Sequence, residues 1–316
     1  MATPLVETKN LRKYFRTGAG TLHAVEDVNL KIMPGKTLGV VGESGCGKST
    51  LGRTILRLQP ATAGEVLYNG ENILKYRGRD MQKIHLNMQM VFQDPYSSLD
   101  PRMSVHNLIA EPVQVCGLLK TKAEINDHVR QIMDMCGLPA DQANLYPHEL
   151  DGGLRQRVGL ARAMAVSPRF IVCDEPVSAL DVSIQAQILN LLMDLQEQRG
   201  LSYMFITHDL CVVKHISDEI MVMYMGQVVE RAKTGELFAN PVHPYTKALL
   251  HAVPTIDLSR RNREGFMLRG EVTSPINPAP GCRFAPRCPY ATDKCRENVC
   301  LKEVGADHFV ACSLCD

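Results

Sequence analysis

Two short runs of residues have the types and spacing to do chemistry. In Gly42-Glu-Ser-Gly-Cys-Gly-Lys-Ser49 the spacing is G-x-x-x-x-G-K-[ST], the pattern of a loop that cradles phosphate groups. Glycines allow backbone N–H groups to converge on anionic oxygens, and the N-terminus of a following helix adds positive potential. Lys48 is placed to pair with β- and γ-phosphates, and the Ser49 hydroxyl to meet Mg²⁺. Gly42, Ser44, Gly45, Cys46, Gly47, Lys48, Ser49 and Thr50 are therefore the candidate contacts for ATP. With glycine at about 7% of residues, a chance match in a chain this long has a probability on the order of one in a hundred.

The second run is Asp174-Glu175, directly after the apolar stretch Phe170-Ile-Val-Cys173. A buried parallel strand delivers carboxylates to the ligand edge of a sheet in this way. Asp174 would hold Mg²⁺ through water, and Glu175 would polarise the attacking water. Taken alone, the pair reads more readily as a solvated turn.

These residues need strands and helices to position them. Leu38-Gly-Val-Val41, Gln89-Met-Val-Phe92, Phe170–Cys173 and Tyr203-Met-Phe-Ile206 have the length and apolarity of strands buried on both faces, which implies a largely parallel sheet. A helix is predicted from Lys48 to Leu58, with Leu51, Ile55 and Leu58 on one face. From about Asp94 to Tyr146 the strand signal disappears, and helical patterns such as Lys122 to Cys136 take over, with Ile125, Val129, Ile132 and Met133 in register. The fold class is α/β with an inserted helical subdomain at about 94–155.

Composition bounds the rest. The 316 residues carry 35 Lys plus Arg against 34 Asp plus Glu, so there is no global field to attract nucleic acid or an anionic membrane surface. The N-terminal stretch lacks the apolar core of a secretory signal, and no window approaches a membrane span. The expectation is a cytosolic chain with reduced cysteines. Six of the 11 cysteines lie in the last 35 residues, namely Cys282, Cys288, Cys295, Cys300, Cys312 and Cys315. That asymmetry marks a C-terminal extension at 258–316, after a main domain at 1–257, with the charged stretch from Leu258 to Glu264 at the boundary.

With these elements in place the chain resembles the ATP-binding subunit of an ABC transporter. The resemblance implies an ABC-type fold with N-terminal antiparallel strands and a mostly parallel core. It also assigns further residues. Gln93, in Val91-Phe-Gln-Asp-Pro95, resembles the Q-loop glutamine, which also reaches Mg²⁺. Asp181, in Ser178-Ala-Leu-Asp181, resembles the D-loop. His208, in Ile206-Thr-His-Asp209, resembles the switch histidine that contacts the γ-phosphate. Phe15, with Tyr14 as the alternative, stands where the family stacks an aromatic ring on adenine.

One motif departs from the family pattern. Members place Leu-Ser-Gly-Gly-Gln before a helix, and that segment caps nucleotide held by the opposite subunit of a head-to-tail dimer. Here it reads Leu150-Asp-Gly-Gly-Leu154. Gly152 and Gly153 remain, but Asp151 replaces the serine. A carboxylate roughly 4 Å from a phosphate charge costs on the order of 4 kcal/mol at an effective dielectric near 20. The helix itself should survive, since Asp caps as well as Ser. These residues suggest a heterodimer in which a partner ATPase supplies an intact signature.

The segment Asn240-Pro-Val-His-Pro-Tyr-Thr-Lys-Ala-Leu249, followed by Asn277-Pro-Ala-Pro-Gly-Cys282, resembles the C-terminal region of dipeptide, oligopeptide and nickel importers. That likeness implies a second, non-identical ATPase subunit, two membrane-spanning permease subunits and, indirectly, a substrate-binding protein. The chain would then lie peripherally on the cytoplasmic face of the cell membrane, energising peptide import by ATP hydrolysis.

In the tail, Cys282, Cys288, Cys295 and Cys312 lie in a short segment too poor in apolar residues to fold by packing alone, so a metal staple is expected. Relatives of this type carry a [4Fe-4S] cluster here. Zn²⁺ is the alternative, with Cys300, Cys315 and His308 as spare ligands. The rival functional class is a soluble ABC ATPase uncoupled from transport. A regulatory GTPase lacks its guanine-selecting Asn-Lys-x-Asp.

Overall fold

The structure is a computed structural model that describes residues 3–252, 275–297 and 299–315. The expected boundary at 257/258 and the charged stretch 258–264 lie outside the described residues. The chain divides into two compact units, one of residues 1–74 with 205–316 and one of residues 75–204.

In the first unit, strand Val6–Thr17 pairs antiparallel with both Gly20–Ile32 and Ala63–Tyr68, and the short Glu71–Asn72 continues that sheet. A second sheet holds Thr37–Val41 parallel to Glu219–Tyr224. Glu219–Tyr224 then pairs antiparallel with Gln227–Lys233, which pairs with His308–Val310, and that strand with Lys302–Gly305. All five residues of Thr37–Val41 are buried, which accounts for its unbroken apolar run. Gly39 admits the helix Leu210–Ile216 closely, because a Cβ there would overlap Val213 Cγ2.

The helix after Thr37–Val41 runs Lys48–Ile55, one turn shorter than the apolar spacing implies. Leu51 and Ile55 are fully buried, but Leu58 is 50% exposed. Arg57 takes a left-handed φ of 55°, so the chain has left the helix before Leu58 can join its apolar face.

The tail enters the core of this unit. Phe284, 1% exposed, clusters with Tyr224, Tyr245, Val222 and Leu237, with its ring 5.3 Å from Tyr224 and 5.4 Å from Tyr245. Truncating a buried aromatic ring costs about 3–5 kcal/mol. Phe284→Ala is therefore expected to lower unfolding stability by about that amount, measured by chemical denaturation of the full chain.

In the second unit, Met88–Val91 runs parallel to Phe170–Asp174. Helices Val105–Val115, Lys122–Met135, Gly152–Met164 and Val182–Arg199 are its longest elements. The helix Lys122–Met135 begins with a capping box, in which the Thr121 hydroxyl accepts from the Glu124 N–H while the Glu124 carboxylate accepts from the Thr121 N–H. It buries Ile125, Val129, Ile132 and Met133, the face that the sequence spacing defines. Among the described residues no helix is long and apolar enough to cross a membrane.

Candidate functional site

The glycine loop joins strand Thr37–Val41 to helix Lys48–Ile55. Its turns require left-handed backbone at Gly42 (φ 152°), Gly45 (75°) and Gly47 (103°). A Cβ on Gly47 would collide with the Ala24 carbonyl oxygen, so a side chain is excluded on two counts. Gly47 is the N-cap of the helix and supplies no side-chain hydrogen bond to it. The first turn thus keeps its N–H groups oriented for an anion.

Lys48 is 4% exposed, and its ammonium donates to the carbonyls of Gly42 at 2.8 Å and Glu43 at 3.0 Å. A buried cation whose hydrogen-bond partners, the two carbonyls and the Cys46 sulfur at 3.9 Å, are all neutral is poised for an anionic partner. Burial raises the pKa of the Cys46 thiol, so this loop cysteine stays protonated and acts as packing. The loop has an anchor that its motif does not reveal: the Glu43 N–H donates to the Tyr245 hydroxyl at 2.9 Å. His208, exposed, lies in the same unit two residues after the end of strand Ser202–Ile206, and the adjacent Asp209 caps helix Leu210–Ile216 by accepting from the N–H groups of Cys211 and Val212.

Of the two aromatic candidates, Tyr14 is the more constrained. Its ring stacks on His23 at 4.1 Å, and its hydroxyl donates to Glu26. Burial and this bond push its pKa up to about 12. Phe15 is half-buried, with the Lys13 ammonium 4.6 Å above its ring.

The second unit carries the other candidates. Asp174 is fully buried at the end of strand Phe170–Asp174. Glu175 follows in left-handed backbone, φ 46°, an uncommon state for a residue with a side chain and one that clusters at functional positions. Gln93 Nε2 donates to Glu175 Oε2 at 3.1 Å, so two residues 82 positions apart are brought together. Asp181 is the exposed N-cap of helix Val182–Arg199.

Asp151 caps helix Gly152–Met164, its Oδ1 accepting from the Leu154 N–H at 2.8 Å. The helix survives the substitution, as its capping chemistry implies. A Cβ on Gly153 would press on Ile184 Cγ2 and one on Gly152 on Leu180, so both glycines serve close packing against the segment around Asp181.

A strand, a glycine loop closing on a buried lysine, and an α/β framework with a helical insertion define an ABC-type phosphate-loop ATPase. The ABC transporter family model matches residues 25–178, and that of the oligopeptide/dipeptide transporter C-terminal region matches 229–295. The putative oligopeptide transport ATP-binding protein YkfD of Bacillus subtilis (strain 168) is 47% identical, over 98% of this chain and 95% of its own. The oligopeptide transport ATP-binding protein OppF of the same organism is 54% identical, over 83% and 87%. Among solved structures, the dimeric bacterial ABC transporter cassette MJ0796 is similar at a TM-score of 0.66 and 28% identity, covering 72% of this chain and 98% of that one. A post-hydrolysis state of the same cassette, bound to ADP and Pi, gives a TM-score of 0.66 at 29% identity. The chain belongs to the ATP-binding subunits of ABC transporters, in the oligopeptide/dipeptide branch, and it is an ATPase.

The iron–sulfur and zinc expectation for the tail is corrected. Among the described residues, which include all six tail cysteines, no group of three or more His, Cys, Asp or Glu side chains is arranged to hold a metal ion. The family models and relatives matched are described as transporter and ATP-binding proteins. The physical reason is that the tail has other anchors. Cys282 and Cys288 pack against the aromatic core around Phe284, and burial pushes the Cys282 thiol up to about 11, so it behaves as an apolar side chain. Cys295 Sγ lies 3.2 Å from the Ser313 hydroxyl. His308, a spare ligand by sequence, instead pairs through Nε2 with the fully buried Glu230 at 2.7 Å, and Cys312 leads into the short turn Ser313–Cys315.

Proposed function

We propose that this chain energises import of di- or oligopeptides through a membrane ABC transporter. The match of residues 229–295 to the oligopeptide/dipeptide transporter C-terminal region, beside a complete phosphate loop, carries this reading. It is supported by relatives named for oligopeptide or peptide transport. The rival reading of a soluble ATPase uncoupled from transport gains no support from these names.

In this reading Gly42 to Thr50 hold the triphosphate of ATP, with Lys48 on its β- and γ-phosphates. Phe15 or Tyr14 meets the adenine. Mg²⁺ supplies charge neutralisation for the phosphates, and the oxygen donors of Ser49, Gln93 and Asp174 suit it as a hard cation. Glu175 orients and polarises the attacking water, with Gln93 holding its carboxylate and His208 facing the γ-phosphate. Leu150 to Leu154, with Asp181, face nucleotide bound to a second, non-identical ATPase subunit. Two permease subunits and a substrate-binding protein complete the assembly, with this chain peripheral on its cytoplasmic side.

Two experiments test this. Affinity purification of the full chain from its own cells is expected to bring two permease subunits and a distinct ATPase, and recovery as a lone active ATPase would overturn the transporter assignment. In the assembled complex, Asp151→Ser combined with Leu154→Gln keeps the helix cap and removes the carboxylate. ATP turnover is expected to rise about twofold, because one of two sites is regained. An unchanged rate would refute an impaired signature.

A further inference from the structure

The tail reaches the nucleotide loop through one short turn, Arg283-Phe284-Ala-Pro-Arg287. Arg287 places Nη1 2.8 Å from Glu43 Oε2 and Nη2 3.2 Å from Glu43 Oε1. This is a forked contact that only a guanidinium makes. Glu43 is the second residue of the phosphate loop. Its N–H is held by the Tyr245 hydroxyl, its carbonyl accepts from Lys48 and from the Cys46 N–H at 3.3 Å, and its carboxylate is taken by Arg287. Every polar group of this loop residue is thus fixed, and the Arg287 and Glu43 side chains are only 7% and 24% exposed.

Arg283 makes a parallel connection four residues earlier. Its Nη2 lies 2.8 Å from Glu26 Oε2, and its Nη1 donates to the carbonyls of Met225 and His23. Glu26 is the carboxylate that receives the Tyr14 hydroxyl and the His23 imidazole, so it sets the aromatic pair at the candidate adenine position. The neighbouring Gly226 N–H donates to the Cys46 carbonyl at 2.8 Å, and its carbonyl accepts from the Glu26 N–H at 2.8 Å. Phe284, seated in the aromatic core between the two arginines, fixes the turn that carries both.

We infer that Arg283 and Arg287 are positioning residues by which the C-terminal extension sets the nucleotide-binding surface of its own ATPase. Arg287 acts through Glu43 on the phosphate loop, and Arg283 through Glu26 on the adenine-side aromatics. This rests on the ATPase assignment and adds to it a dependence of ATP affinity on the tail. The geometry also separates this role from mere anchoring. His308 ties the tail to Glu230, which holds the Val242 and His243 N–H groups and no residue of the phosphate loop. Loosening that contact removes a tail anchor that makes no direct bond to Glu43 and is linked to it through His243 and Tyr245, two residues removed.

The test uses the full-length chain, with equilibrium binding of ATP and of its fluorescent mant derivative, and with KM and kcat measured separately. Arg287→Met is expected to weaken ATP binding and raise KM roughly three- to tenfold with kcat little changed. Arg287→Lys, which keeps the charge but not the fork, should fall between Met and wild type. Glu43→Gln should reproduce the Arg287→Met effect, and the double substitution should add little to either. His308→Gln should lower thermal stability and leave KM unchanged. Unchanged affinity in Arg287→Met, additive effects of Arg287→Met and Glu43→Gln, or a KM shift in His308→Gln equal to that of Arg287→Met would each overturn the inference. If Arg287→Met does not fold, the Arg287→Lys and Glu43→Gln pair decides by the same criteria. A wild-type chain that binds no ATP would instead sink the ATPase reading on which the inference stands.

Discussion

Glu175→Gln is expected to leave ATP bound and unhydrolysed. The substitution is isosteric and removes only the ability of the side chain to take a proton from, or polarise, a water. General-base assistance of that kind contributes about 10²- to 10⁴-fold, and single-turnover hydrolysis should fall by a factor in that range. The structure provides an internal control. Gln93 Nε2 donates to Glu175 Oε2 at 3.1 Å, and the amide oxygen of a glutamine still accepts that bond, more weakly for lack of charge, so the loop after strand Phe170–Asp174 is expected to keep its shape. Glu175 also sits at φ 46°, a backbone state that its replacement tolerates to the same degree. Nucleotide affinity should therefore match wild type, and a variant that hydrolyses ATP within tenfold of the parent rate would remove Glu175 from its assigned role.

Lys48→Ala is expected to act on binding. The ammonium is 4% exposed and donates to the Gly42 and Glu43 carbonyls, in the loop that leads into the N-terminus of helix Lys48–Ile55. Charge-assisted hydrogen bonds of this type contribute about 1.5–3 kcal/mol each. Affinity for ATP should thus fall about 10- to 150-fold, read by equilibrium titration of a fluorescent nucleotide. AMP, which has neither of the phosphates that Lys48 reaches, should bind parent and variant alike. Loss of affinity that is equal for ATP and AMP would mean that the substitution deforms the loop instead of removing a phosphate contact.

These two residues were legible in the sequence because their signals are local. G-x-x-x-x-G-K-[ST] between an apolar strand and an amphipathic helix fixes the backbone path, and Lys48 has no freedom to lie elsewhere. The buried run Phe170 to Cys173 likewise delivers Asp174 and Glu175 to a strand end. The cap at Asp151 was also readable, since side-chain capping depends on residues within a single turn. Local signals were weaker guides to element ends. Leu58 continues the apolar spacing of the helix after the phosphate loop, yet the helix stops at Ile55, because the left-handed turn at Arg57 redirects the chain.

The tail shows where local reading fails. Its cysteines suggested a segment in need of a metal, since few apolar residues lie within it. What holds it is supplied from far along the chain: Tyr224 and Tyr245 for Phe284, Glu43 for Arg287 across 244 positions, Glu26 for Arg283 across 257, and Glu230 for His308 across 78. No periodicity or spacing in the tail encodes those partners, because each lies on an element whose position is set by the sheets. By itself the sequence determined the phosphate-loop chemistry, the α/β class, the capped helices and the altered signature, all of which follow from residues a few positions apart. Only the tertiary structure decided that Gln93 holds Glu175, that Tyr245 and Arg287 fix the phosphate loop through Glu43, and that the tail is secured by aromatic packing and buried ion pairs, because these contacts depend on chain segments that meet only after the sheets have formed.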